Sequence, residues 1–313
     1  MVSPGIVSAA IVLCAALAVD RLMGDPQSRW HPVALLGRII GWWGRPEYYS
    51  PKTQRLAGVL LWISTVIIFS LPFILFAQYA PWYIYLLIAP FLLKCCFAWR
   101  ALEEHTRAVV AALRDGIESG REKVGMLVSR DTAKLDRDHI LSAGYESMTE
   151  NLTDSIVSPL CFFTVFGLAG AAAYRAVNTM DAMLGYRDER ERIGWCAARM
   201  DDICNFIPAR ITVLLLLLWF IPKGSFSDAV RMIRRDGKKR PGFNGGIVMA
   251  TMAGGTGTRF EKPGVYTIGD GIRTLDEAGA DILVATRAVT IMFAVIACSA
   301  LFLLGTMINS TGI

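Results

Sequence analysis

Long apolar runs broken by polar stretches outline the chain. Residues 56–93 carry no charged side chain, and neither do 155–174 or 288–313. About 20 helical residues cross the ~30 Å hydrocarbon core of a bilayer, so runs of this length predict membrane spans. The first apolar segment covers 4–22 and holds Asp20 and Arg21 near its end. The run 56–93 is too long for one span and contains Pro72, Pro81 and Pro90. It predicts a helical hairpin, 56–76 and 80–99, with its turn near 78–82. Trp82, Tyr83 and Tyr85 would then sit at the membrane interface, where aromatic rings are favoured. Further membrane segments are expected at 155–174, 203–222 and 287–308.

Between them lie the polar stretches 23–55, 100–154, 175–202 and 223–286, with no internal repeat of fixed period. Residues 100–118 place apolar positions at helical spacing among charged ones, as in an amphipathic helix. Ser225 or Ser227 can cap a helix running to Gly237, with Val230 and Ile233 on its apolar side. Gly242, Gly245, Gly246, Gly254, Gly255 and Gly257 predict a loop that closely approaches a ligand or membrane helices. The expected fold is an all-α polytopic membrane protein. It has four to six membrane helices, some re-entrant, with cytoplasmic amphipathic helices and loops, in one membrane-embedded domain over 1–313.

Most Lys and Arg lie in 23–55, 100–154 and 223–286, which places these on the cytoplasmic side of the cell membrane. Residues 1–5, 309–313 and the hairpin tip carry no basic side chain and face outward. If 155–174 and 203–222 both crossed, Arg175, Arg187, Arg190, Arg192 and Arg199 would lie outside, against that pattern. The two segments are therefore expected to form a re-entrant or protein-buried hairpin, since polar backbone at membrane depth needs protein or water around it.

Composition narrows the class further. Of 313 residues, 54% are hydrophobic and 19% charged, which excludes disorder, collagen and coiled coil. A net charge of +5 is too mild for a nucleic-acid tail. The seven cysteines (Cys14, Cys95, Cys96, Cys161, Cys196, Cys204, Cys298) form no CxxC pair and read as small buried hydrophobes. Segment 2–19 has no positively charged n-region, so an uncleaved first helix is expected.

Four clusters have the residue types that chemistry needs. The first is Gly24-Asp25-Pro26 with His31 and Arg38, for which a plain turn beside an interfacial Trp30 is the simpler alternative. The second is Arg130 and Asp131, then Glu146, Glu150, Asn151 and Asp154. Glu146, Glu150 and Asp154 stand at i, i+4, i+8, on one helix face. Like charges so placed repel, and an unpaired carboxylate at the bilayer centre costs about 2.5–3.5 kcal/mol. A divalent cation would reverse that repulsion, and magnesium takes carboxylate together with phosphate oxygens. The third cluster sets Arg175, Asn178 and Asp181 at i, i+3, i+6, continuing to Arg187. The fourth holds Arg199, Asp201, Asp202, Asn205 and Arg210, where Arg199 with Asp202 could be a structural ion pair. Lys238, Lys239, Arg240, Asn244 and Arg259 suit either an anionic substrate or anionic lipid. The stretch 254–259 is not a P-loop, because no Gly-Lys-Ser/Thr follows.

These motifs together resemble the CbiB/CobD family of membrane proteins in cobalamin biosynthesis, the adenosylcobinamide-phosphate synthases. The matching stretches are GDP…HPV…GR at 24–38, SRDT at 129–132, ES..EN..D at 146–154, YRAVNTMDAMLGYR at 174–187, AARMDDICNFIPARIT at 197–212 and RRDGKK at 234–239. One departure follows RRDGKK. The family usually continues with a His-Pro-Ser-Pro-Asn-like stretch, whereas here Arg240-Pro241-Gly242-Phe243-Asn244 stands, so no role of that histidine carries over. The resemblance implies ATP- and magnesium-dependent amide formation between adenosylcobyric acid and (R)-1-aminopropan-2-ol or its O-phosphate. Partners would be the lipid bilayer and other cobalamin-assembly membrane proteins. Glu146, Glu150, Asp154, Asp181 and Asp201 would then hold magnesium–nucleotide. Glu150, Asp154, Asp181 and Asp202 would serve catalysis. Arg130, Arg175, Arg187 and Arg199 would bind phosphates or the carboxylate, and Asn151, Asn178 and Asn205 would orient ligands. Asp25, His31, Asp131, Lys239 and Asn244 are further binding candidates.

Two other classes compete: a UbiA-type intramembrane prenyltransferase, which lacks support in closely repeated aspartates here, and a non-catalytic membrane scaffold. For the topology, a tag inserted at Gly185 should be reachable from the face that carries 100–154. Access only from the opposite face would rule out the re-entrant arrangement.

Overall fold

A computed structural model describes residues 5–25 and 28–311. Pro26 of the expected turn and the tails 1–4 and 312–313 lie outside the described residues. The chain is almost wholly helical and forms two compact units, each assembled from separated pieces of sequence. Among the described residues, four helices are long and apolar enough to cross a membrane: Gln54–Tyr79, Trp82–Asp115, Arg137–Leu184 and Leu275–Gly305. A bent pair, Glu191–Cys204 with Phe206–Phe220, meets at 41° and would make a fifth. The protein is thus a multi-pass membrane protein by length and composition of its helices.

The first unit takes residues 1–98, 158–205 and 294–313. It contains α1 (Ile6–Met23), α2 (Pro32–Trp43), α3 (Gln54–Tyr79), α4 (Trp82–Lys94), α8 (Ser158–Leu184) and α9 (Glu191–Cys204). The expected hairpin is present: α3 ends at Tyr79, Ala80 turns extended, and Pro81 caps α4. Proline suits that position because its missing N–H and fixed φ cost nothing before a helix. Leu36, Ile40 and Trp43 repeat along one face of α2 and pack on Ala176, Met180 and Leu184 of α8 and Ile193 and Ala197 of α9.

Glycines set the closest approaches here. A Cβ on Gly194 would fall on the Leu184 carbonyl oxygen, and one on Gly58 of α3 would fall on the Ile193 carbonyl. Backbones brought this close are the packing mode of membrane helices, where small residues replace side-chain interdigitation. Helix α8 is broken at Gly167, which adopts φ 65° and ψ −158°, outside the helical region.

The second unit takes residues 99–157 and 206–293. Its helices are α5 (Trp99–Asp115), α6 (Ile117–Gly125), α7 (Arg137–Asn151), α10 (Phe206–Phe220), α11 (Phe226–Asp236), α12 (Gly245–Thr256) and the first part of α13 (Leu275–Thr311). Helix α5 is the expected amphipathic helix, with Val109 and Leu113 buried. Helix α11 starts after Ser225 and ends at Gly237, also as expected, although the Ser225 side chain makes no capping bond. Helix α7 passes into a π-helical turn at Leu152–Val157. Buried Glu103 of α5 accepts two bonds from the Arg287 guanidinium of α13, at 2.9 and 2.5 Å, and one from Trp99 Nε1 at 2.9 Å.

Segment 155–174 lies inside the long Arg137–Leu184 stretch, and the bend of a broken span or re-entrant segment joins 191–204 to 206–220. One expectation needs correction: the glycine-rich stretch is not a loop. Gly245–Thr256 is helix α12, followed by an antiparallel hairpin of β1 (Arg259–Lys262) and β2 (Tyr266–Gly269), with Arg259 opposite Gly269. A Cβ on Gly254 would lie 2.6 Å from the Asp228 carbonyl of α11, and one on Gly255 would enter the Phe220 ring of α10. The glycines therefore mark helix packing, which a loop and a packed helix signal alike in sequence.

Gly194→Ala should lower the thermal midpoint in detergent, at a cost of about 1–3 kcal/mol for forcing packed backbones apart. Gly37→Ala in α2 should raise it slightly, since only Met183 Sδ at 3.7 Å meets the new methyl and helical alanine gains roughly 0.5–1 kcal/mol.

Candidate functional site

The richest polar cluster belongs to the second unit and is built on α7. Asp136 caps that helix, accepting from the His139 N–H at 2.9 Å. One turn further in, Ser142, Glu146 and Glu150 share a face. Glu146 is almost fully buried, and both of its oxygens are engaged. Oε1 accepts from Ser142 Oγ at 2.6 Å, and Oε2 accepts from Arg130 Nη2 and from Tyr266 OH, each at 2.6 Å. Ser142 Oγ in turn accepts the Glu261 N–H at 2.7 Å, which pins β1 to α7. Asp131 turns the preceding loop by accepting from the Ala133 N–H at 2.9 Å, and this aims Arg130 inward.

Glu150 is held by the Arg240 guanidinium. Burial pulls the Arg240 pKa down, but the Glu150 carboxylate, with Asp154 and the Tyr266 oxygen, outweighs it and leaves it raised. The Tyr266 phenol is raised by burial and by the Glu146 carboxylate that accepts its hydrogen bond. The three-carboxylate stripe is therefore neutralised in large part by arginine. Both oxygens of Glu146 accept hydrogen bonds, and the residue organises the cluster. The π turn widens the helix just where Asp154 lies, so its register departs from the simple i, i+8 spacing. Arg130 keeps one buried N–H group, Nη1, without an acceptor among the described residues.

Neighbouring motifs prove to be structural clamps. In RRDGKK, Asp236 is fully buried and accepts from Arg235 Nη2 at 2.8 Å, from the Gly269 N–H at 2.9 Å, and pairs with Lys239 at 2.7 Å. Burial raises its pKa, but these donors overcome that and hold the carboxyl well below the usual range. Lys239 is thus occupied by Asp236. Asn244 Oδ1 accepts from Arg210 Nη1 at 2.6 Å, tying the start of α12 to α10. Asn151 stays within its own helix, donating to the Ser147 carbonyl at 2.9 Å and accepting from Ser155 Oγ at 2.7 Å.

In the first unit the third and fourth clusters do meet. Asp201 accepts from Asn178 Nδ2 at 3.3 Å and from Asn205 Nδ2 at 2.8 Å. Asn205 Oδ1 accepts from Tyr174 OH at 2.8 Å and Ser158 Oγ at 2.5 Å, so its amide is used up in positioning. Asp181 and Asp202 lie within electrostatic reach of Asp201. Arg187 and Arg199 are exposed. Asp25 pairs with buried Lys94, which also meets Asp20 at 3.1 Å. His31 and Arg175 line a cleft in the same unit.

Among the described residues no group of three His, Cys, Asp or Glu side chains forms a ready metal cage. Magnesium usually takes only one or two protein carboxylates and completes its shell with water and phosphate oxygens. Glu150 and Asp154 beside an arginine-rich wall are a donor set of that kind. Sequence reasoning missed Tyr266 and Ser142, and it grouped Arg240 with the basic stretch rather than with Glu150. The only local signal was the unusual arginine after RRDGKK.

Comparison with known proteins follows the same motifs. The family model described as "CobD/Cbib protein" matches residues 13–302. The chain belongs to the CobD/CbiB family of cobalamin biosynthesis proteins. It is 41% identical to "Probable cobalamin biosynthesis protein CobD" of Methanothermobacter thermautotrophicus, over 85% of this chain and 88% of that one. It is 44% identical to the Thermococcus kodakarensis protein of the same name, over 80% and 82%. With "Cobalamin biosynthesis protein CobD" of Dehalococcoides mccartyi it shares 38% over 85% and 88%. No solved structure matches. The CobD/CbiB match covers both units, so the Glu146 network and the Asp201 network both fall within the shared region.

The Asp236 clamp makes a pH-dependent prediction. A carboxyl with a depressed native pKa adds stability above its unfolded value, near 4, and loses it as pH falls toward the native value. Asp236→Asn should therefore cost about 1–3 kcal/mol at pH 7. The gap to wild type in thermal midpoint should narrow steadily below about pH 4.

Proposed function

We propose that the protein joins a corrinoid carboxylic acid, adenosylcobyric acid, to (R)-1-aminopropan-2-ol or its O-phosphate, with ATP as co-substrate. Its membership of a cobalamin biosynthesis family sets the pathway. The observation that carries the reading further is the buried Arg130–Glu146–Tyr266 and Arg240–Glu150 network, with Arg130 Nη1 left in need of an acceptor.

A carboxylate is a poor acylating agent, because its negative charge repels nucleophiles and oxide is a poor leaving group. In the proposed reaction the carboxylate oxygen attacks the γ-phosphorus of ATP and ADP departs. The amine nitrogen then attacks the acyl carbon, inorganic phosphate leaves, and a proton is released from nitrogen. Phosphoryl transfer asks a protein mainly for positioning and charge stabilisation. Arg130 and Arg240 provide cationic N–H donors for phosphate or carboxylate oxygens. Tyr266 and Ser142 fix Glu146, which in turn fixes the plane of the Arg130 guanidinium. Glu150 and Asp154 would hold magnesium jointly with nucleotide phosphates, and the ion would offset phosphate charge. No serine or cysteine nucleophile is required. The basic stretches would place this site on the cytoplasmic side, where ATP is available.

The test is direct. Purified protein in liposomes with magnesium-ATP and adenosylcobyric acid should yield an ATP-dependent amide with one of the two amines, followed by mass spectrometry. Arg130→Gln should cut the rate by about 100-fold or more, the size expected for losing a cationic donor aimed at developing charge. A folded wild-type protein that makes no amide with either amine would overturn the proposal. Full activity in Asp181→Ala or Asp202→Ala would remove those carboxylates from the reaction.

A further inference from the structure

Helix α2 carries more apolar surface than its packing uses. Leu36, Ile40 and Trp43 face the core of the first unit. One residue earlier in each turn, Leu35, Ile39 and Trp42 form a second stripe at i, i+4, i+7, and this one is exposed. At about 100° per residue the two stripes lie side by side, so the apolar arc takes nearly half of the helix circumference. Trp30, just before the helix, is 67% exposed, and Trp42, near its end, is 71% exposed. A contiguous exposed patch of this kind marks a surface that meets something other than water.

Place, charge and residue type identify what it meets. In sequence α2 stands between α1, the first apolar segment, and α3, which is long enough to cross a membrane. Its 12 residues reach only about 18 Å, well short of the hydrocarbon core. It therefore joins the end of one apolar helix to the start of the next at a single membrane face. Residues 28–50 hold Arg29, Arg38 and Arg45 against Glu47 as their one acid. All three arginines are exposed. Among the described residues their guanidinium groups meet carbonyl oxygens, a phenol and aromatic rings, but no carboxylate. Arg38 borders the exposed stripe on its polar side, where a long side chain lays its stem along apolar surface and lifts its charge to the headgroups. Tryptophan at both ends of the stripe suits the same boundary, since its ring is apolar and its N–H polar.

We propose that α2 is an in-plane membrane helix whose Leu35–Ile39–Trp42 stripe enters the headgroup boundary of an anionic leaflet, with Arg29, Arg38 and Arg45 facing its negative headgroups. Helices of this class sink about 5–10 Å into the boundary and bind by apolar area together with attraction to anionic lipid. The inference stands apart from the amide-forming reaction, because it is read without turnover. Full-length protein is placed in nanodiscs of phosphatidylcholine alone or mixed with phosphatidylglycerol, with and without lipids brominated in the upper acyl chain. The Trp42 signal is the difference in emission between wild type and Trp42→Phe, a change at an exposed ring that leaves the packed face of α2 intact. Trp30→Phe gives an independent reading at the other end of the stripe.

Brominated lipid should quench both tryptophan signals, and acrylamide in the water should reach them far less than free tryptophan. Quenching by lipid should rise with phosphatidylglycerol. Arg38→Gln combined with Arg45→Gln should lower the docked-to-undocked ratio of α2 in the anionic discs about fivefold per arginine, and leave phosphatidylcholine discs unchanged. Arg137→Gln, which removes a surface pair with Asp276, should change neither reading. Signals quenched by acrylamide and not by brominated lipid, in protein that melts cooperatively, would overturn the proposal and leave the stripe to a protein partner. Equal lipid quenching in both mixtures and in the arginine variant would overturn its anionic part.

Discussion

A carboxylate stays ionised away from water only when donors surround it, and Glu146 meets that condition with four elements at once. Its partners come from the 129–132 loop, α7 itself and β2, while Ser142 links the same network to β1. Removing one partner of a buried charge pair typically costs about 3–5 kcal/mol, because the other charge is left stranded. The position of the hairpin, the direction of Arg130 and the phenol of Tyr266 therefore stand or fall together. Arg240 extends the arrangement to Glu150. Rigidity of this kind suits a site whose task is to hold charged groups still rather than to supply a nucleophile.

Asp201 plays a comparable part in the first unit with weaker partners. Its donors are amides, and those amides are themselves fixed by Tyr174 and Ser158. The two networks thus hold a buried carboxyl group in different ways within one chain, through neutral amides in the first unit and through guanidinium groups in the second.

Legibility in the sequence followed the range of the interaction. The α3–α4 hairpin, amphipathic α5 and the end of α11 at Gly237 depend on local periodicity and on single punctuating residues, and all three could be read directly. Asn178 with Asp201 and Asn205 could be anticipated as helix-face patterns, though not their meeting. Tyr266 and Arg240 lie 120 and 90 residues from their carboxylate partners. No period connects such pairs, so the acidic stripe looked uncompensated and suggested a metal. Glycines misled for a different reason. Gly254 and Gly255 are needed because neighbouring helices leave no room for a Cβ, and a loop would show the same residues.

The Glu103–Arg287 pair spans 184 residues of chain. At a synthesis rate of ~5–20 residues per second, roughly 10–40 s separate the appearance of the carboxylate from that of its guanidinium. During that interval Glu103, destined for burial, has only the surface Arg107 of its own helix as counter-charge, 3.5 Å away in the finished fold. Helix α13 is therefore more than one further apolar segment. Its arrival supplies the paired donors that let this carboxylate leave water, which makes emergence of α13 a condition for sealing the second unit.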